Sequence, residues 1–117
     1  MEVTIPTSKG NITIDNQVIA TIAGVSAMES YGVVGMASRN AADGIFQLLK
    51  FENLTRGIEV NTENERVVIC LHVIIEFGIR ISTVGQNIID RVRFNVESLT
   101  GLDVDDIEVL VEGIRMN

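Results

Sequence analysis

Apolar and polar positions alternate along residues 67–77, the most apolar stretch of the chain. One face of the predicted strand carries only apolar side chains, those of Val67, Ile69, Leu71, Val73, Ile75 and Phe77. The other face is mixed and carries Val68, Cys70, His72, Ile74 and Glu76. A strand covered on one side alternates strictly, whereas a strand covered on both sides does not. The observed pattern lies between these cases and predicts the central strand of a sheet.

Two segments place apolar residues three or four positions apart, which is the spacing of an amphipathic helix. The first helix is predicted to begin after Asp15, whose carboxylate can cap it, and to end near Ser30. The second is predicted to have Ser82 as its cap and to stop at Gly101. Its buried stripe is predicted to contain Ile81, Val84, Ile88, Val92, Val96 and Leu99. A weaker helix is predicted over residues 41–51.

Shorter strands are predicted around these helices, at residues 11–14, 57–61 and 107–112, and residues 31–36 are predicted to be a turn that leads into another short strand. Residues 1–9 are predicted to be a flexible lead-in, because Pro6 and Gly10 interrupt regular structure. The polar residues 61–65 are predicted to be the turn of a hairpin that ends in the long apolar strand. The element order β-α-β-(α)-β-β-α-β predicts one α+β domain over residues 10–117. Two to three helices would pack on one face of a mixed or mostly antiparallel sheet.

The composition is that of a globular domain with an aliphatic core. The chain has 117 residues, of which 46% are hydrophobic and 21% are charged, and it contains no Trp, one Tyr and four Phe. A chain of this length buries roughly two-thirds of the surface that its unfolded form exposes. The net charge of −7 opposes contact with phosphate backbones and anionic lipids. Neither nucleic-acid binding nor direct membrane insertion is therefore expected.

Cysteine usage and hydropathy favour a cytoplasmic protein. Cys70 is the only cysteine in the sequence, so no internal disulfide can form. The start of the chain does not show the basic and apolar segments of a signal peptide. The apolar stretch is far shorter than the ~20 residues of a membrane-spanning helix, and His72 and Glu76 interrupt it.

Cys70 and His72 are the first candidates for chemistry, because they lie on one face of the predicted strand about 7 Å apart. A cysteine nucleophile with a histidine base also needs a group that orients the histidine. The sequence does not place an Asn or Asp to do so. A structural zinc site needs more ligands than these two. We therefore expect a partly buried structural pair.

Two further motifs are more simply explained by turns. The aspartates Asp103, Asp105 and Asp106 lack the glycine and terminal glutamate of a calcium-binding EF-hand loop and predict an acidic turn. Gly32 and Gly35 have the G-x-x-G spacing of RNA-binding KH domains, but valines lie between them and positive charge is sparse. P-loop, dinucleotide and nucleophile-elbow motifs are absent from the sequence. We expect no catalytic, cofactor-binding or metal-binding residues, no cofactor, and a protein that is not an enzyme.

Taken in order, seven segments resemble the alkaline-shock-protein family of Gram-positive bacteria, also called the general-stress or envelope-stress-response family. They are GNITI at 10–14, VIATIA at 18–23, ESYGVVGM at 29–36, GIEV at 57–60, EFG at 76–78, SLTGL at 98–102 and IEV at 107–109. The resemblance extends from residue 10 to residue 115. Because the chain has no long charged tail after Asn117, it is similar to the compact, short-chain branch of the family.

The resemblance implies a small, cytoplasmic, non-catalytic domain, in a family with some members held at the membrane by a separate anchor protein. It implies a protein-interaction or scaffold domain in cell-envelope stress or homeostasis, which presents a sheet edge or helix face to partners or to copies of itself. The alternative is a regulatory partner of a fatty-acid or lipid-metabolism enzyme, such as fatty-acid kinase or acetyl-CoA carboxylase. Tyr31, Val34 and Met36 either belong to an interaction patch or complete the core.

Overall fold

The computed structural model describes residues 2–37, 55–63 and 66–116. In this part of the chain the elements are, in order, β1 Glu2–Thr7, β2 Gly10–Asp15, α1 Asn16–Met28, β3 Val33–Met36, β4 Ile58–Glu63, β5 Arg66–Glu76, α2 Ile81–Thr100 and β6 Asp103–Arg115. The α+β class is therefore confirmed. The helix predicted over residues 41–51 lies outside the described residues.

Strand β5 is the centre of the main sheet, as the sequence predicts. It pairs with β6 in parallel along its whole length, from Arg66 opposite Asp103 to Glu76 opposite Arg115. On its other side β5 pairs antiparallel with β4 along its first half and with β3 near its end. The main sheet is therefore mixed. Strands β1 and β2 form a separate antiparallel hairpin.

The core lies between one face of this sheet and the two described helices. The inward side chains of β5 are fully buried, and they belong to Val67, Ile69, Leu71, Val73 and Ile75. Helix α2 contributes a stripe of side chains four residues apart, those of Val84, Ile88, Val92 and Val96, which are at most 1% exposed. Helix α1 contributes mainly small residues, including Ala20, Ala23 and Ala27, which allow it to approach closely.

Two of the three predicted helix caps are present in the structure. Asp15 caps α1, because its Oδ1 accepts a hydrogen bond from the backbone N–H of Gln17 at 2.7 Å. Gly101 ends α2 in the left-handed conformation at φ 76°, and its N–H donates to the carbonyl of Glu97. The prediction of Ser82 as the cap of α2 is wrong. That helix begins at Ile81, after Arg80, whose side chain forms no capping bond in the described structure.

Within the predicted flexible lead-in over residues 1–9, Glu2–Thr7 form the strand β1. Val3 and Ile5 alternate with polar residues, Val3 is buried, and β1 pairs with β2. Pro6 is tolerated because it lies near the hairpin end, in a two-stranded ribbon where each strand is an edge.

The predicted turns at residues 61–65 and 103–106 are also partly wrong, because the strands extend into them. Strand β4 continues to Glu63, which lies opposite Arg66, so the hairpin is confirmed but its connection is shorter than predicted. The aspartates after α2 belong to β6, because β6 pairs with β5 from its first residue. Asp105 also forms an ion pair with Arg66 at 2.8 Å.

The turn before β3 requires a glycine for two reasons. Gly32 has φ +90°, which side chains other than glycine rarely adopt. A Cβ atom at this position would also lie 2.8 Å from Cγ2 of Val84 on α2. The tight turn predicted for this glycine is thus confirmed, and it packs against the core.

Candidate interaction surface

The two helices run antiparallel, side by side, and their outer surfaces meet at a polar seam. Asn95 on α2 donates from Nδ2 to Oγ of Ser26 on α1 at 2.8 Å. Ser26 in turn donates to the carbonyl of Ile22 at 2.7 Å, and Ser30 donates to the carbonyl of Ser26. Ser26 and Ser30 are buried, and these bonds satisfy their hydroxyls. The seam therefore fixes the position of α1 relative to α2.

An apolar groove lies on one side of Asn95. We call it the helix groove; it has a volume of about 350 Å³ and is lined by Thr21, Ile22, Val25, Ser26, Glu29, Asn95 and Leu99. Leu99 is 72% exposed, although the helical spacing predicts it to be buried. It lies at the last turn of α2, where it forms a wall of the groove. Ile81, at the first turn, is likewise more exposed than predicted.

An aromatic cleft lies on the other side of Asn95. It has a volume of about 500 Å³ and is lined by Ser30, Tyr31, Asn87, Asp90, Arg91, Phe94 and Asn95. Tyr31 is 76% exposed and Phe94 is 70% exposed. The charged side chains of Asp90 and Arg91 also line this cleft.

The helix groove and the aromatic cleft share Asn95, and we call them together the helix-face surface. Single exposed apolar side chains are common on soluble proteins. A continuous surface that combines aliphatic and aromatic side chains with a polar border is instead typical of interaction sites. Phe94 and Leu99 are the two large apolar side chains of α2 that this surface exposes most.

The sequence left open whether three apolar residues belong to a patch or to the core, and the structure separates them. Met36 is fully buried and belongs to the core. Val34 is half-buried, whereas Tyr31 is exposed and lines the aromatic cleft. Sequence reasoning missed Phe94 and Asn95. The sequence does contain one indication that Phe94 is exposed, because it is an aromatic residue outside the predicted apolar stripe of α2.

The sheet face opposite the helices holds the predicted pair of Cys70 and His72. His72 Nδ1 lies 2.7 Å from Oε1 of Glu112, and these side chains are only 13% and 18% exposed. The thiol of Cys70 donates to Oε1 of Glu108 at 3.7 Å. Both carboxylates come from β6, and sequence reasoning missed them. The alternation of β6 places them on one face, but its parallel pairing with β5 is not visible in the sequence.

This arrangement gives each of the two side chains a carboxylate partner on β6. Nε2 of His72 is buried and has no hydrogen-bond partner in the described structure. The pair thus joins β5 to β6. Among the described residues, no group of three or more His, Cys, Asp or Glu side chains is arranged to hold a metal ion.

In the described part of the chain, neither helix combines the length and the apolar character needed to cross a membrane. No solved structure matches the chain.

Comparisons of sequence identify relatives along nearly the whole chain. It is 39% identical over 117 residues to the uncharacterized protein YloU of Bacillus subtilis (strain 168), with 99% of this chain and 98% of that protein covered. It is 41% identical to the uncharacterized protein Spy1614 of Streptococcus pyogenes serotype M6, with 99% and 97% covered.

More distant relatives carry a stress-response name. The chain is 26% identical over 107 residues to a stress response regulator gls24 homolog of Streptococcus pyogenes serotype M3, with 92% of this chain but 60% of that protein covered. The model of the ASP23 family, described as having a cell envelope-related function, matches residues 4–116. The chain belongs to the ASP23 family, which confirms the resemblance to the alkaline-shock-protein family seen in the sequence.

Proposed function

We propose that this chain is a non-catalytic protein-interaction domain that serves as a scaffold in cell-envelope stress or homeostasis. In this proposal it works at the cytoplasmic side of the envelope and reaches the membrane only through a protein partner, such as a membrane anchor, or through further copies of itself. The cell envelope-related function of its family and its similarity to stress response regulator homologs support the biological setting.

The helix-face surface is the observation that carries this proposal. Tyr31 and Phe94 are about three-quarters and seven-tenths exposed, and both line the aromatic cleft. Aromatic side chains supply most contact energy at protein interfaces, because they bury a large area and lose little conformational freedom. Asp90, Arg91 and Glu29 supply the polar border that gives such an interface orientation.

The stability of the surface does not depend on its exposed side chains. The core stripe of α2 and the hydrogen bond from Asn95 to Ser26 hold the two helices together. A partner can therefore bind a preformed shape and avoid the entropic cost of ordering it. This is the property expected of a scaffold domain.

The proposal is tested by affinity purification from the native host after chemical crosslinking, with mass spectrometry of cytosolic and membrane fractions. The test variant is Tyr31→Ser combined with Phe94→Ser. A matched control is Ile12→Ser, which removes another large side chain, 53% exposed, from β2 outside the helix-face surface. The double variant is expected to lose the partner that the wild type and the control recover.

Each result has a defined meaning. An envelope protein, a membrane anchor or further copies of the chain, recovered only with an intact helix-face surface, support the scaffold function. A fatty-acid or lipid-metabolism enzyme recovered in the same way would instead favour the regulatory alternative. Equal recovery with the double variant would contradict the assignment of the helix-face surface.

A further inference from the structure

In the described part of the chain, strand β6 is an edge of the main sheet. Eleven of its 13 residues lie opposite residues of β5, with irregularities at Asp105 and Glu112, and no strand in the described residues pairs with its other side. In a parallel ladder every second residue of an edge strand directs its backbone N–H and C=O away from the sheet. An edge of this length can accept another extended chain.

A hydrogen bond near the end of β6 shows which way its backbone N–H and C=O groups point. The N–H of Phe77 donates to the carbonyl of Arg115 at 3.0 Å, so the backbone of Arg115 faces β5. By alternation, the backbone groups of Ile114 face outward. Its side chain is 51% exposed.

Helix α2 covers the other end of this edge. The N–H of Val104 donates to Oε2 of Glu97 at 2.9 Å, and Arg93 donates from Nη1 to the carbonyl of Val104. These bonds satisfy the backbone of one residue at the start of β6. They leave the stretch from residue 106 to residue 115 as the available edge, and we call it the β6 edge.

The negative charge of β6 indicates which kind of strand can pair with the β6 edge. Its sequence DVDDIEVLVEGIR has five acidic residues and one basic residue. Asp105 is paired with Arg66 and Glu112 with His72. The remaining acidic residues, Asp103, Asp106 and Glu108, are exposed on β6, and a carboxylate close to a second carboxylate is destabilising. A second copy of the chain would place a strand of the same net negative charge against this edge, whereas a basic segment would be attracted to it.

We propose that the β6 edge binds an extended, basic segment of a protein partner by strand addition. Backbone hydrogen bonds to the outward groups of β6 would supply affinity. Lysine or arginine side chains facing Asp106 and Glu108, alternating with β-branched residues, would supply selectivity. This surface is separate from the helix-face surface, so the inference does not rest on the function proposed above.

A selection from random twelve-residue peptides tests this inference without a known partner. Displayed peptides are selected on the immobilised full-length chain at low salt, and the enriched peptides are then synthesised. The inference predicts alternating basic and β-branched residues. A synthetic copy with N-methylated backbone amides at alternate positions keeps the side chains but cannot form the ladder. We expect it to bind at least about tenfold more weakly, because losing one or two hydrogen bonds changes the binding free energy by about that much.

Two protein variants locate the binding site. Ile114→Pro removes an outward N–H and is expected to weaken binding of the selected peptide by about tenfold. The triple change Asp103→Asn, Asp106→Asn and Glu108→Gln is expected to weaken binding and reduce its salt dependence. The matched control neutralises three exposed acidic residues on other strands, by Glu2→Gln, Glu63→Gln and Glu76→Gln. It is expected to bind the peptide nearly as well as the wild type.

The opposite results would overturn the inference. Peptides that lack basic residues, an N-methylated copy that binds equally well, or equal weakening by the control triple change would exclude strand addition at an acidic edge. Peptides that bind but depend on Phe94 would support the proposed function while refuting this inference. Sedimentation showing that the chain pairs with itself through Ile114 would identify a second copy as the occupant.

Discussion

Both faces of α2 carry large apolar side chains, but the two faces have opposite roles. On the inner face, Val84, Ile88, Val92 and Val96 repeat every four residues and are buried against the sheet. On the outer face, Phe94 and Leu99 are at least 70% exposed and line the helix-face surface beside α1. The inner face holds the fold together, whereas the outer face contributes little to it. Apolar character alone therefore does not identify the core of this helix.

The difference arises from what lies opposite each face. The inner stripe meets the fully buried side chains of β5. The outer residues lie beside α1, which α2 contacts through the hydrogen bond from Asn95 to Ser26, and are largely exposed. Substitutions on the two faces should therefore separate stability from binding.

The largest effect is expected on the inner face. Ile88→Ala removes a fully buried side chain and leaves a cavity next to β5, which should lower the free energy of unfolding by about 3 kcal/mol. Urea denaturation followed by circular dichroism measures this change. A loss below about 1 kcal/mol would contradict the placement of Ile88 in a tightly packed core.

The second effect concerns the contact of the inner stripe with the turn before β3. Gly32→Ala introduces a Cβ atom 2.8 Å from Val84 and requires φ near +90°, so the free energy of unfolding should fall by about 2 kcal/mol. The same denaturation experiment applies.

Two other glycines provide matched controls for this prediction. Gly78→Ala has a similar φ of +94° but no atom within 4 Å of the new Cβ, so it measures the backbone strain without the contact. Gly85→Ala, inside α2 and also without a close neighbour, should instead stabilise the chain by about 0.5–1 kcal/mol. Equal losses at Gly32 and Gly78 would show that packing against Val84 is unimportant.

A third prediction addresses the sheet face opposite the helices, where a polar pair occupies a nearly buried position. Glu112→Leu leaves His72 without its partner and should cost about 2 kcal/mol. Adding His72→Leu removes the buried imidazole that has lost its partner. The double variant should therefore recover most of the lost free energy of unfolding. If the two single changes simply add, the His72–Glu112 contact does not contribute to stability.

The smallest effect on stability is expected on the outer face of α2. Phe94→Ala should change the free energy of unfolding by less than about 0.5 kcal/mol, because the ring is 70% exposed. It is the matched control for Ile88→Ala, since both changes place alanine on the same helix. A loss comparable to that of Ile88→Ala would remove the distinction between the two faces.

Local patterns in the sequence predict most of this fold. The two-residue alternation of β5 predicts a central strand, and the four-residue spacing in α2 predicts the buried stripe. The caps at Asp15 and Gly101 are predicted equally well, because they depend on neighbours within a few residues.

Apart from the cap of α2, the errors occur where distant pairing decides the structure. The aspartates after α2 have the composition of a turn. They nevertheless belong to β6, because this segment pairs with β5 from Asp103 onward. Pro6 interrupts strands in general, yet an edge position near the end of a hairpin accepts it. Such pairing depends on contacts across the fold, which override local propensity.

The candidate sites are predicted less well than the fold. Leu99 has the spacing of a core residue and is nevertheless exposed, because exposure depends on how far α1 extends over α2. The carboxylate beside His72 comes from Glu112, 40 residues away, and only the parallel register of β5 and β6 brings it there. One sequence shows neither the position of α1 nor this register.

The central claim is that the outer face of the helix pair binds a protein partner. Site-specific photo-crosslinking in living cells tests it most directly, with a benzophenone-bearing phenylalanine in place of Phe94 and, as the control, in place of Ile12. We predict discrete crosslinked products from position 94 and none of the same mass from position 12. Crosslinked products that are absent at position 94, or identical at both positions, would contradict the claim.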